Sequence, residues 1–137
     1  MKKIAEYLVR VFLEDTDHGG VVYHANYLKF MERARSEWLY SLELGEYFKE
    51  LKVNFVVRSA SIDYFLPTRL GEQLKIETFV KEVKRTSVTF LQKIINLTNQ
   101  ELICSGEILI VIINEKFRPT AIPEELMNYL KKEPIDA

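Results

Sequence analysis

Apolar residues after Asn26 recur at helical spacing. Tyr27, Met31, Ala34 and Trp38 are separated by four, three and four positions, and Leu28, Leu39 and Leu42 widen the stripe. This pattern predicts one helix over about 25–42. Glu32, Arg33, Ala34, Arg35 and Glu37 are good helix formers, no proline interrupts them, and Gly45 stands beyond the last apolar position as a stop signal. At ~1.5 Å per residue the helix is ~25 Å long, enough to cross a small domain. Elsewhere the period falls to two. Tyr7, Val9, Val11 and Leu13 alternate with Glu6, Leu8, Arg10 and Phe12, and Leu74, Ile76, Thr78 and Val80 alternate with Lys75, Glu77, Phe79 and Lys81. Further strands are read at 53–64, with Val56, Ala60, Ile62 and Tyr64 on one side, at 87–97 and at 102–113. Pro67 and Gly71 close the first of these, and Lys84-Arg85-Thr86 is short enough only for a hairpin. The run 108–113 is apolar on both faces, which predicts cover on both sides or a subunit contact. The mixed stretch 45–52 reads as a loop or one helical turn. Pro123, Glu124 and Glu125 open a short terminal helix that Lys131 and Lys132 close.

The order is strand, long helix, four strands in antiparallel sequence, short helix. Five strands must bury one face, and the only large apolar object available is the long helix. The predicted fold is therefore α+β, a five-stranded antiparallel sheet curled around that helix. With 137 residues and 47% hydrophobic content, positions 1–137 form one domain with enough apolar material for a core. A formal net charge of −1 and a pI near 6.2 argue against a nucleic-acid binder. Cys104 is the single cysteine, so no internal disulfide forms, and no CxxC or Cys/His spacing suggests a metal. That composition fits a reducing cytoplasm. Met1-Lys2-Lys3 resembles the start of a signal peptide, but Glu6, Arg10, Glu14 and Asp15 break any apolar segment behind it. No run approaches the ~18 apolar residues of a membrane span.

One stretch carries chemistry that packing does not ask for. In Glu14-Asp15-Thr16-Asp17-His18-Gly19-Gly20-Val21-Val22-Tyr23-His24-Ala25-Asn26-Tyr27, carboxylates and two histidines crowd the entry of an apolar helix. The first turn of that helix presents unpaired backbone N–H groups and a partial positive charge, and the glycine pair lets the loop approach closely. The product is an anion-friendly pocket with Asp17 beside it. Taken residue by residue, the plainer readings are that Asp17 caps a turn, His24 is a satisfied histidine at a helix start, and Glu14 and Asp15 are solvated or structural. Lys84 and Arg85 alone are a soluble turn. Trp38, Phe55 and Tyr64 read as core, and Cys104 as a small buried hydrophobe.

The run from Glu14 to Leu28, followed by Glu32-Arg33-Ala34-Arg35, resembles the signature of the hot-dog-fold acyl-CoA thioesterases of the YbgC and 4-hydroxybenzoyl-CoA thioesterase type. The sharp part of the match is about twenty residues, and by element order the likeness extends over nearly the whole chain. It implies hydrolysis of an acyl-CoA thioester, with Asp17 as nucleophile or general base. It further implies carbonyl polarisation by amide groups around His24 and Ala25, and an orienting or proton-transfer role for His24. Lys84, Arg85 and Thr86 would meet coenzyme A, with Arg58 and Ser59 as further substrate contacts. No cofactor is implied, since coenzyme A is part of the substrate. Assembly as a homodimer or homotetramer with the pocket at the subunit boundary is implied as well. His18 and Leu13 depart from the family pattern, where a small residue and often a tyrosine stand. An acyl carrier protein thioester is the second choice of substrate. Two other classes remain open at this point: a hot-dog dehydratase, and a non-catalytic acyl-CoA or carrier-protein binding module.

Overall fold

A computed structural model of the chain describes Met1–Lys131; Lys132, assigned above to the terminal helix, lies outside the described residues. The elements are β1 (Lys2–Arg10), a 3-10 turn (Leu13–Asp15), α1 (Asn26–Ser41), α2 (Gly45–Leu51), β2 (Asn54–Tyr64), β3 (Gln73–Val83), β4 (Ser87–Asn96), β5 (Leu102–Ile113) and α3 (Glu124–Leu130). Neighbouring strands run antiparallel in one sheet ordered β1-β3-β4-β5-β2. β2 thus pairs with β5 and forms an edge, and residues 65–72 carry the chain across the sheet to β3.

The sheet curls around α1, as the shortage of other apolar partners requires. Leu74, Ile76, Ile94, Ile108 and Ile112 are buried against the same core as Tyr27, Phe30, Met31 and Ala34 of α1. Phe30, three positions beyond Tyr27, belongs to the buried stripe although the pattern of fours and threes passed it by. At Gly106 helix and sheet approach closely: a Cβ there would sit 3.1 Å from the Met31 side chain. Beside it runs a polar tie. Gln92, fully buried on β4, donates from Nε2 to the Met31 carbonyl and to Thr78 Oγ1, both at 3.0 Å, and accepts from Arg35 Nη1 at 2.8 Å. These bonds satisfy the buried amide and fix α1 against mid-sheet.

Three local departures have identifiable causes. β1 ends at Arg10 and Leu13 is 74% exposed, because the Asp15 carboxylate takes the Phe12 N–H and turns the chain out of the sheet. In β2 a bulge between Val57 and Ser59 shifts the register. Phe55, Val57, Ala60, Ile62 and Tyr64 therefore oppose the inward residues of β5, while Val56 faces the other way, contrary to the simple alternation. Tyr64, expected in the core, is 43% exposed at the end of this edge strand; Trp38 and Phe55 do pack on the core, half-buried. Third, α1 is stopped by Glu43 in the left-handed region (φ 57°), and Gly45 opens α2 instead of closing α1. The doubly apolar run on β5 divides as its pattern suggests. Ile108, Ile110 and Ile112 face α1, Leu109 and Val111 are half-buried on the outer face, and Ile113 is covered where Pro119 bridges to it.

Candidate active site

Two aspartates two positions apart have opposite surroundings. Asp15 is 5% exposed. Its Oδ2 accepts from the Phe12 N–H (2.8 Å), its Oδ1 from Asn26 Nδ2 (2.7 Å), and its carbonyl from the Tyr23 N–H (2.9 Å). It fastens the loop to the first residue of α1. Asp17 is exposed, at the head of a tight turn: its N–H donates to the Val21 carbonyl (2.8 Å), and the Gly20 N–H donates to the Asp17 carbonyl (3.0 Å). Gly20 closes the turn at φ 83°, a conformation that glycine adopts without strain. Asp17 Oδ1 accepts from the Gly19 N–H at 2.8 Å, so it does cap the turn. That role occupies one oxygen, and among the described residues Oδ2 has no protein partner. His18 sits exposed on the same turn.

The chain then enters α1. Asn26 N–H is spent on the Tyr23 carbonyl (2.8 Å) and Ala25 supplies no side-chain cap. Among the described residues the N–H groups of His24 and Ala25 meet no protein acceptor, which leaves two amides pointing out of a helix entry. His24 is exposed; its ring lies 4.7 Å from that of Tyr23 and edge-on to Tyr64 at 6.1 Å, and its carbonyl accepts from Tyr64 OH at 3.0 Å. His24, Tyr27 and Tyr64 line a cleft of about 280 Å³ with Val21, Val22 and Phe65 among the other walls. Behind it Tyr27 and Thr68 share a 2.6 Å hydrogen bond between hydroxyls. Burial pushes the phenols of Tyr27 and Tyr64 up and the Cys104 thiol up to about 12, so Cys104 stays a thiol and offers no nucleophile. Asp17 is not part of the cleft lining; it stands on the turn that Val21 and Val22 lead away from.

The basic hairpin is elsewhere. Lys84, Arg85 and Thr86 join β3 to β4 at the end of the sheet opposite the entry of α1, and the ten residues of β4 separate the two ends by about 30 Å. The Ile122 N–H donates to the Arg85 carbonyl (2.9 Å), the Ile112 N–H donates to the Thr86 carbonyl (3.0 Å), and Lys84 Nζ lies 3.8 Å from Glu82. One chain therefore does not bring these residues to Asp17. Arg58 is exposed in the bulge of the edge strand, and Ser59 opposes Leu109 on the face away from α1. Among the described residues no group of three or more His, Cys, Asp or Glu is placed to hold a metal. Sequence reasoning missed Asn26, which reads the Asp15 carboxylate, and Tyr64, taken for core. An Asn at the first helical position behind an acidic loop was the available signal for the first.

A sequence model of the thioesterase-like superfamily matches residues 11–130, a span that contains the turn, the helix entry and the whole sheet from β2 onward. The chain belongs to the thioesterase-like superfamily. It is thus a thioester hydrolase with the hot-dog fold. Among thioesterase-like proteins, the acyl-CoA thioester hydrolase YbgC of Escherichia coli O6:H1 is 40% identical over 126 residues, covering 90% of this chain and 93% of its own. The acyl-CoA thioesterase YbgC of Helicobacter pylori strain 26695 is 40% identical over 130 residues, covering 87% and 96%. A solved structure, a probable thioesterase from Bartonella henselae, superposes with a TM-score of 0.77 at 31% identity, covering 90% of this chain and all of that one (100%). Among the described residues of this thioesterase-like chain, no helix is long and apolar enough to cross a membrane.

Proposed function

We propose that this protein hydrolyses acyl-CoA thioesters and that Asp17 is its catalytic carboxylate. The observation that supports the reading is the closeness in sequence of a half-used carboxylate and unspent amides. Asp17 keeps one oxygen open on the turn that leads directly to the His24 and Ala25 N–H groups. In the reaction an oxygen nucleophile adds to the thioester carbonyl, the carbonyl oxygen gains negative charge, the C–S bond breaks, and the thiolate of coenzyme A leaves and takes up a proton. The free Asp17 oxygen supplies the nucleophile, either itself, forming a mixed anhydride that water then cleaves to release the acid and restore the carboxylate, or by taking a proton from a water that attacks. The His24 and Ala25 amides stabilise the oxyanion, a contribution commonly worth ~10² to 10³ in rate per donor. His24 orients the acyl group from the rim of the aromatic cleft, whose walls suit an apolar acyl chain. The chemistry needs no cofactor.

Lys84, Arg85 and Thr86 fit the phosphates of coenzyme A only across a subunit boundary. β2 is an edge strand with Val56 and Val57 exposed. Pairing two β2 edges antiparallel about a two-fold axis sets the helix entry of one copy beside the hairpin end of the other, so a homodimer completes the site. A thiol-release assay over short, long and aromatic acyl-CoAs, with an acyl carrier protein thioester alongside, tests the assignment. Turnover of at least one acyl-CoA is expected; no turnover of any thioester by the folded protein overturns it. Single turnover in H₂¹⁸O then separates the two roles: label appears in the Asp17 carboxylate only if its own oxygen attacks.

A further inference from the structure

A second cavity of about 280 Å³ lies between α1, the inner face of the sheet and α3, and shares no lining residue with the cleft at His24. Its walls are apolar, formed by Trp38, Phe55, Phe90, Ile110, Leu126 and Leu130 among others. Arg35, Glu32 and Ser36 line it as well, and of these Arg35 is buried, only 9% exposed. A buried guanidinium is costly unless its charge is met, and here Glu32 offsets it only from beyond ion-pair distance. Arg35 donates through Nη1 to the neutral Gln92 amide, and no carboxylate among the described residues comes within ion-pair distance. Glu32, one turn away on the cavity rim, instead accepts from Ser36 Oγ at 2.7 Å. No fully buried polar side-chain atom among the described residues lacks a partner, so any Arg35 nitrogen without one keeps some contact with solvent. The Gln92 network holds the group there: Gln92 is itself fixed to Met31 and Thr78, which leaves Arg35 little freedom to leave the wall.

We propose that this cavity is a binding site for a free monocarboxylate with an apolar body, its carboxylate on Arg35 and its tail against Trp38, Phe90 and Leu130. An anion supplies the partner the guanidinium lacks, and a planar carboxylate matches its fork. At about 30 Å³ per water-sized group the volume takes roughly nine heavy atoms, the size of hexanoate, octanoate or benzoate. Arg35 stands nine residues along α1 from Asn26, about 13 Å by helical rise, so within one chain the site is distinct from the helix entry. Such acids are the product class of thioester hydrolysis. The site itself rests on the cavity and not on that reaction.

Trp38 is the single tryptophan of the chain and lines this cavity, so its emission reports occupancy directly. Titration with octanoate is expected to change Trp38 emission saturably, with octanol of the same length at least about tenfold weaker, the worth of a charge-assisted bond. In Arg35→Met the preference for acid over alcohol disappears, while Glu32→Gln, which removes a repelling charge from the rim, tightens octanoate two- to threefold. Should Arg35→Met fail to fold, Val57→Phe decides. Val57 is 54% exposed and lines the cavity, and the larger side chain occludes it with Arg35 intact, abolishing the response. Equal responses to octanoate and octanol in the wild type, a preference for the acid that survives in Arg35→Met, or an octanoate response that survives in Val57→Phe overturns the proposal. The readout involves no turnover, so the result is independent of which residue acts on the thioester.

Discussion

Asp15 and Asp17 lie in one loop, and their contrast separates what builds the site from what acts in it. Asp15 is buried and spends both carboxylate oxygens on Phe12 and Asn26. Asp17 is exposed and spends one on Gly19. The carboxylate with the better hydrogen bonding is the scaffold, and the one with an oxygen to spare is the group proposed to react. The same division recurs at α1. Its middle is locked to the sheet through Gln92, whereas its entry leaves two amides unspent. A loop that must present an open carboxylate beside open amides needs another group to hold its shape, and Asp15 is that group.

The largest expected effect comes from breaking the scaffold half of the contrast. Asp15→Ala leaves the Phe12 N–H and the Asn26 amide without their acceptor and is expected to cost about 3 kcal/mol, read as a lowered midpoint in urea unfolding. Loss of activity should follow the loss of folded protein. A midpoint equal to the wild type would show that the bonds to Asp15 carry no stability.

A second way to sharpen the contrast uses pH. Burial raises the Cys104 thiol from 9.0 to about 12 and also raises the Tyr27 phenol, both behind the cleft. A raised pKa contributes stability that is complete below the unfolded value and is lost as pH rises through the folded one. Thermal stability is thus expected to fall between pH 9 and 12, and Cys104→Ala to flatten part of that fall. An unchanged slope in the variant would remove the thiol from the account.

Smaller effects belong to the proposed substrate contacts. The double variant Lys84→Ala, Arg85→Ala is expected to raise KM for an acyl-CoA about tenfold with kcat little changed, because it removes charge from the phosphates and not from the thioester. A matching loss for a short pantetheine thioester that carries no nucleotide would contradict that assignment. The smallest change is Tyr64→Phe. It deletes one partly exposed bond to the His24 carbonyl and should cost under about 1 kcal/mol, with a few-fold shift in acyl-chain preference measured over the same substrate panel.

How much of this was legible in the sequence depends on the range of the interaction involved. Helical spacing from Tyr27 to Trp38 located α1, and the alternation of β3 and the patterns of β4 and β5 set their faces, because each follows from a local period. The bulge at Val57–Ser59 was not legible: it depends on how β2 meets β5, and a one-residue slip exchanges the two faces. The stop of α1 at Glu43 was misread for a related reason, since glycine is the favoured left-handed residue but tertiary packing can impose that conformation on another. Within the site, residues 17 and 24 were picked out by the resemblance carried by the run from Glu14 to Leu28, since by type alone each had a plainer structural reading. The burial of Asp15 did not, because Asn26 and Phe12 become its partners only once the loop has closed. The separation of Lys84–Thr86 from Asp17 follows from strand order, which no local signal encodes.

The most direct test of the account is the rate of thiol release by Asp17→Asn compared with the wild type, with thermal unfolding measured on the same samples. The substitution keeps the shape of the turn and the acceptor for Gly19, and removes the carboxylate. The account predicts an unchanged melting temperature and a kcat lower by roughly two orders of magnitude or more. A folded Asp17→Asn protein that releases thiol at the wild-type rate would contradict it.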